Sequence, residues 1–303
     1  MTPLSKKRNI YNYLHSKLLS EETKKKSERM IVIIAIVSFI LHLAIIFLIK
    51  FNVISVESNS NLLANPIGAI YTPFSFIIIY EVYLLVYYLP KSITSYIGKQ
   101  YEIITLIIIR RLFKDLATMK ISSEWFHLRN DLQFSYDLLA TIVLFFLIYL
   151  FYRIRCAKKA NKPSQKIETV NFIRQKKVLA LALVPVFVGL SIFSIYNWID
   201  NANSLSDIFE SMKDVNKIFF NDFFTILILT DVLLLLLSLF YTDKFNIVIR
   251  NSGFIISTIL IRLSFGTEGF INPALVVTAV VYGILLLYIS NKYDREIFPL
   301  ARK

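Results

Sequence analysis

Four charged residues lie inside apolar runs, where a charge is unfavourable in a membrane and where it can bind or move an ion. Glu81 and Asp231 each lie near the centre of an apolar run of 19 residues. Arg110 and Arg262 lie late in two further runs. A carboxylate at the centre of a membrane helix costs about 2.5–3.5 kcal/mol, so such groups face the bundle interior or a wet cavity. These four residues are the candidate substrate or ion path.

Each charge type allows two interpretations. The two acids are either protonatable or cation-binding groups on a transport path, or buried carboxyls that hydrogen-bond neighbouring helices. Arg110 and Arg262 either bind an anionic group at the outer mouth of a path or extend their head groups to the outer interface. The second interpretation also applies to Arg111 and Lys114. Near the opposite end of the segment that carries these bases, Lys99 and Glu102 are three residues apart and are expected to neutralise each other.

Catalytic patterns are absent from the sequence. His15, His42 and His127 fall in different regions, and no HExxH, GxSxG, P-loop or GxGxxG pattern occurs. The single cysteine, Cys156, excludes a disulfide framework and a CxxC metal site. No cofactor, metal site or catalytic residue is predicted, and His42 is interpreted as a helix-contact residue.

The composition indicates a membrane protein. Of the 303 residues, 56% are apolar and 18% are charged, and the mean hydropathy is +0.59. A soluble chain of this length does not need apolar runs of about 20 residues, whereas a helix needs that length to cross about 30 Å of hydrocarbon. The low glycine and proline content excludes collagenous and disordered classes. The sequence therefore predicts an all-α polytopic membrane protein.

Seven apolar segments are predicted to cross the membrane as helices. They are Met30–Ile49, Tyr71–Leu89, Tyr136–Tyr152, Val178–Trp198, Phe223–Tyr241, Phe245–Leu263 and Ile271–Ser290.

An eighth segment, Ile93–Phe113, carries Lys99, Glu102, Arg110 and Arg111, so hydropathy alone would leave it at the membrane surface. Cytoplasmic loops collect Lys and Arg, which allows the two topologies to be compared. Without this span, the basic residues divide 17 against 15 between the two sides; with it, they divide 23 inside against 8 outside. The charge bias favours eight transmembrane helices with both termini cytoplasmic, in the plasma (inner) membrane.

The net charge of +13 then reflects topology and not a nucleic-acid partner. The segment Leu4–Lys26 has apolar residues at helical spacing with basic residues around them. It is predicted to form an amphipathic helix on the bilayer, bound to anionic inner-leaflet lipids. Whether the protein has a protein partner or forms a homo-oligomer stays open.

Two pairs of segments resemble each other at nearly one offset. Six of 16 positions are identical between Phe74–Leu89 and Phe224–Leu239, and six of 11 between Ile103–Phe113 and Ile255–Phe265. In these alignments the two acids match each other, as do the two arginines. An even number of spans per half predicts two parallel four-helix repeats, related by an axis along the membrane normal.

The predicted organisation has five parts. They are a basic N-terminal segment (1–29), a first four-helix repeat (30–152), a basic cytoplasmic linker (153–177), a second four-helix repeat (178–290) and a cytoplasmic tail (291–303).

Three functions fit these features. The first is a transporter or channel that uses the paired acids and arginines. The second is a non-catalytic membrane scaffold or assembly partner, in which the charges only join helices. The third is a membrane enzyme that acts on a lipid-linked substrate, with the arginines binding phosphate; the lack of a nucleophile or metal set argues against it.

Overall fold

The described part of the chain is helical and contains no strand. A computed structural model describes residues 13, 17–53, 63, 66–118, 129–156, 167–200, 205–241, 244–267 and 269–296. A short 3₁₀ segment, Pro66–Ile70, directly precedes the second helix. The long helices within these residues are α1 (Glu21–Lys50), α2 (Tyr71–Tyr88), α3 (Ile93–Thr118), α4 (Arg129–Cys156), α5 (Ile167–Asp200), α6 (Leu205–Tyr241), α7 (Phe245–Ser264) and α8 (Ile271–Glu296).

Seven helical segments are long and apolar enough to cross a membrane, and they lie in every long helix except α3. The protein is therefore a multi-pass integral membrane protein. Helix α3 has 26 residues, which gives it a length of about 39 Å. It is long enough to cross, but its charges keep it below the hydropathy that the other seven reach. The exact number of spans stays a prediction.

Several helices extend beyond the apolar runs that predicted them. Helix α6 begins at Leu205 and α5 at Ile167, so both continue past the predicted spans into polar sequence. The predicted amphipathic helix over Leu4–Lys26 is interrupted at Leu19 and Ser20, which are not helical. Ser20 is the N-cap of α1: its Oγ accepts a hydrogen bond from the Thr23 backbone N–H at 3.1 Å. Residues 1–12 lie outside the described part.

The contacts divide the chain into two compact units. Unit 1 comprises the described residues of Met1–Pro90, Phe113–Lys120 and Gln175–Phe223, and unit 2 those of Lys91–Leu112, Ile121–Arg174 and Phe224–Lys303. The predicted repeats, 30–152 and 178–290, stay a prediction.

In unit 1, α1 packs against α2 and tyrosines of α2 bond to the first turns of α1. The Tyr80 hydroxyl donates to Glu28 at 3.0 Å, and the Tyr87 hydroxyl donates to Glu21. Deeper in the pair, buried His42 on α1 hydrogen-bonds the Thr72 hydroxyl on α2 at 2.5 Å. This contact agrees with the interpretation of His42 as a helix-contact residue.

In unit 2, α8 packs against both α7 and α4. Helix α3 runs antiparallel beside α4, because successive contacts pair the start of one helix with the end of the other. The contacts are Ser95 with Arg155, Glu102 with Tyr152, and Arg111 with Asp137. From the first of these contacts to the last, the position on α3 moves forward by 16 residues, or about 24 Å, and the position on α4 moves back by 18 residues, or about 27 Å.

We expect α3 to cross the membrane because α4, the helix beside it, is apolar enough to cross. Single cysteines replacing Lys91 and Lys162 in a Cys156→Ser background should then react with a membrane-impermeant maleimide from the same side. If α3 stays at the surface, α4 alone separates the two positions and they label from opposite sides. Lys50→Cys is the control, since one span separates it from Lys91 in either topology.

Candidate functional site

Asp231 lies at the centre of the membrane-span segment Asp222–Tyr241 of α6. Its side chain is buried, with 2% of its surface exposed. The carboxylate oxygen Oδ2 accepts a hydrogen bond of 3.1 Å from the Nε2 of Gln100 on α3. A single neutral amide donor is weak compensation for an ionised carboxyl in an apolar environment.

Two hydroxyl groups complete what we call the Asp231 cluster: Asp231, Gln100, Tyr96 and Thr258. Tyr96 and Gln100 are four residues apart on one face of α3, and Thr258 lies on α7. The Tyr96 and Thr258 hydroxyls both lie close enough to interact with the carboxyl. All four side chains are buried.

The Asp231 cluster contains two buried polar atoms without a hydrogen bond. Within the described part of the chain, the Oδ1 of Asp231 and the hydroxyl oxygen of Tyr96 have no partner of good geometry. A buried unpaired group costs about 1–3 kcal/mol and calls for an explanation, such as a bound water, a proton or an ion. The cluster can therefore accept a positively charged or hydrogen-bond-donating guest.

A neighbouring polar contact fixes the position of α3 beside the cluster. The Ser257 hydroxyl on α7 donates to the Ala279 carbonyl on α8 at 2.6 Å, so the Tyr101 hydroxyl must donate to Ser257 Oγ, 2.8 Å away. A Cβ at Gly283 would overlap the Tyr101 hydroxyl. Glycine at this position thus allows the tyrosine to reach between α7 and α8.

The other sequence-predicted acid lies in unit 1. Glu81 on α2 is 4% exposed and shares the buried face of its helix with Ile78 and Leu85, three residues before and four after it. It is therefore buried, as a carboxyl in a membrane helix is expected to be.

The two predicted arginines differ in burial. Arg110 on α3 is buried and Arg262 on α7 is half-buried. Arg110 lies ten residues beyond Gln100, about 15 Å along the axis of α3, so it does not reach the Asp231 carboxyl. Arg262 lies about one turn beyond Thr258. Within the described residues, neither arginine forms an ion pair with Asp231, whose Oδ2 is bonded by Gln100 and whose Oδ1 has no partner of good geometry.

Sequence reasoning missed an ion pair between α3 and α4, which lies further along α3 than the Asp231 cluster. The Arg111 guanidinium donates to both carboxylate oxygens of Asp137 on α4, with the Nη2–Oδ1 distance at 2.6 Å. Arg111 also donates to Asn272 Oδ1 on α8 at 2.8 Å. Asp137 is fully buried and Gln133 donates to it at 3.0 Å. The interpretation of Arg111 as a base extended to the interface is wrong, since it joins three helices.

The expected neutralisation of Lys99 by Glu102 is confirmed. The two side chains form an ion pair, and the Tyr152 hydroxyl on α4 donates to the same carboxylate. Among the described residues, no group of three or more His, Cys, Asp or Glu side chains is arranged to hold a metal ion.

Comparisons with known protein families, with characterised proteins and with solved structures find no match to the chain. The class that the fold supports is a multi-pass integral membrane protein, and its function has to be inferred from its own residues.

Breaking the Arg111–Asp137 pair should destabilise the protein. Asp137 is fully buried, so removing the Arg111 guanidinium leaves its charge uncompensated, at a cost of up to about 3–5 kcal/mol. We therefore expect Arg111→Gln to lower the thermal unfolding temperature in detergent strongly, and Arg111→Gln combined with Asp137→Asn to recover part of the loss. Asp222→Asn, a change at an exposed position on α6, is the control and should have little effect. If the double variant loses as much unfolding temperature as the two single variants together, the two side chains do not interact.

Proposed function

We propose that the protein is a transporter or channel that moves a proton or a small monovalent cation, with the Asp231 carboxyl as the ion-carrying group. The observation that supports this function is the buried Oδ1 of Asp231, which has no hydrogen bond of good geometry and lies beside the Tyr96 hydroxyl at the centre of a membrane span. Intramembrane acids in such surroundings are typical of proton and cation pathways.

The electrostatics of the Asp231 cluster favour uptake of positive charge. In the described part of the chain, Asp231 forms no ion pair with Lys or Arg, and Gln100 is its one donor of good geometry. An ionised carboxyl there would lack most of the stabilisation it has in water. Binding a proton on Oδ1 neutralises it; binding a dehydrated cation between Asp231 and the Tyr96 hydroxyl has the same effect. Transport requires that this charge is taken up from one side and released to the other.

The remaining predicted residues have secondary roles in this proposal. Glu81 is the corresponding acid of the first repeat and a second binding position. In the proposed topology Arg110 and Arg262 lie toward the outer side of the membrane, where they would affect the approach of a solute or of the ion itself. These roles rest on the alignment of the two halves, in which acid matches acid and arginine matches arginine.

The proposal also covers the orientation of the protein in the membrane. We place both termini in the cytoplasm and the protein in the plasma membrane, with α3 as the third of eight spans. The distribution of Lys and Arg supports this orientation, and the antiparallel run of α3 beside α4 supports the crossing. Two parallel four-helix repeats agree with an even number of spans in each half.

A non-catalytic membrane scaffold is the second candidate, and one observation favours it. The Arg111–Asp137–Asn272 and Tyr101–Ser257 contacts show that this chain uses buried polar groups to join helices. In a scaffold, the Gln100–Asp231 bond would do the same and nothing more.

The two candidates differ in the effect of Asp231→Asn, which keeps the shape and removes the titratable group. In a transporter, proteoliposomes containing this variant should lose proton or ²²Na⁺ movement under a potassium diffusion potential, at unchanged yield and unfolding temperature. Asp222→Asn on the same helix is the matched control and should keep full flux. Wild-type proteoliposomes that move neither ion faster than empty vesicles would contradict the proposal.

Labelling provides a measurement that does not depend on choosing the transported ion. Hydrophobic carbodiimides react with protonated carboxyls in apolar surroundings, so we expect the wild type to be labelled at Asp231 and Asp231→Asn to lose that label. Raising the pH or adding Na⁺ or Li⁺ should protect the site, because each reduces the protonated form. If neither pH nor cations change the extent of labelling at Asp231, the scaffold is favoured.

A further inference from the structure

A cavity separate from the Asp231 cluster lies where α4 and α8 end. It has a volume of about 310 Å³, near the lower limit for small-ligand pockets. The charge pattern places this end of the two helices at the cytoplasmic surface of the membrane. The cavity is lined by Ile154, Tyr288, Asn291, Lys292, Arg295 and Glu296.

The buried amide of Asn291 has a free acceptor in this cavity. Its Nδ2 donates to the backbone carbonyl of Ile154 at 3.2 Å. Because a carbonyl only accepts hydrogen bonds, this contact fixes which end of the amide is the nitrogen and leaves Oδ1 at the other end. Asn291 is 7% exposed, and its Oδ1 has no hydrogen-bond partner within the described part of the chain. A ligand that donates a hydrogen bond would satisfy it.

The outer part of the cavity is basic. Lys292 and Arg295 are both exposed, and Lys292 lies 3.8 Å from Glu296 in a weak exposed ion pair. Arg295 makes no ion pair among the described residues. Its guanidinium presents a planar set of donors that matches a phosphate group.

The surface next to the cavity is apolar and faces away from the protein. Leu285, Tyr288 and Ile289 on α8 are 52%, 53% and 57% exposed, and they lie about two to three turns before Arg295. On a membrane-spanning helix, such residues contact acyl chains. Such a surface favours a membrane lipid over a soluble phosphate as the occupant of the cavity.

We propose that this cavity binds a phospholipid whose headgroup carries a hydrogen-bond donor, such as an ethanolamine ammonium or a glycerol hydroxyl. The phosphate contacts Arg295 with support from Lys292, the headgroup donor bonds Asn291 Oδ1, and the acyl chains lie along Tyr288 and Ile289. A choline headgroup has no donor and would leave Asn291 Oδ1 unpaired. This site is independent of the proposed transport function.

Native mass spectrometry of the full-length protein, titrated with lipids of identical acyl chains, tests the site. We expect phosphatidylethanolamine and phosphatidylglycerol both to bind more tightly than phosphatidylcholine. Phosphatidylethanolamine has the same net charge as phosphatidylcholine, so its preference should be about tenfold, as expected for one additional hydrogen bond of about 1.4 kcal/mol. Asn291→Leu should remove the preference for phosphatidylethanolamine over phosphatidylcholine. Arg295→Gln should weaken all three lipids, whereas Lys50→Gln, an exposed base at the end of α1, should weaken none.

Three results would overturn the proposal. One is that phosphatidylcholine binds the wild type as tightly as phosphatidylethanolamine does. Another is competition by inorganic phosphate or glycerol 3-phosphate at the concentrations at which the lipids bind, which would indicate a soluble-anion site. The third is unchanged lipid binding in Arg295→Gln, whose exposed position makes it the deciding variant if Asn291→Leu does not fold.

Discussion

The hydrocarbon core of a bilayer offers no hydrogen bonds, so each polar group inside it must find a partner within the protein. In the proposed topology, helix α3 shows this constraint most clearly. Among the long helices of the described residues, it alone is kept below the hydropathy of a membrane span by its charges, yet side-chain hydrogen bonds join it to four other helices of unit 2. Its partners are Asp137, Tyr152 and Arg155 on α4, Asp231 on α6, Ser257 on α7 and Asn272 on α8. The polar residues that argue against a membrane location are the residues that hold the bundle together.

Against this background, the pairing of the Asp231 cluster is incomplete, as it also is at Asn291 Oδ1 among the described residues. Arg111 and Asp137 satisfy each other with two hydrogen bonds, and Tyr101 and Ser257 form a continuous donor–acceptor chain to a backbone carbonyl. Asp231 receives one amide donor and keeps an unpaired buried oxygen. What distinguishes Asp231 is that the open oxygen belongs to a carboxyl at the centre of a membrane span, where a bound proton or cation would stabilise it.

The sequence predicted the helices well because apolar runs of about 20 residues have few alternatives to a membrane helix. It also predicted the buried positions of Glu81 and Asp231, since an acid inside such a run has to avoid lipid. It did not predict helix ends, because helices such as α6 continue into polar sequence where hydropathy carries no signal.

The partners of the site were not predictable from one chain. Tyr96, Gln100 and Thr258 are common residue types, and only the packing of α3 and α7 around α6 brings them to Asp231. For the Arg111–Asp137 pair a usable signal existed: Asp137 is the second residue of a predicted span and lies at the same predicted depth as Arg111. Opposite charges at equal depth in neighbouring helices are a pattern worth testing in other membrane sequences.

The central claim is that the Asp231 carboxyl takes up and releases positive charge inside the membrane. Infrared difference spectroscopy of the reconstituted protein, recorded between acid and alkaline buffer and between Na⁺ and choline, measures this directly. We expect a protonated-carboxyl carbonyl band that disappears at high pH or in Na⁺ and is missing from Asp231→Asn, while Asp222→Asn retains it. Difference spectra that are identical in the wild type and Asp231→Asn would contradict it.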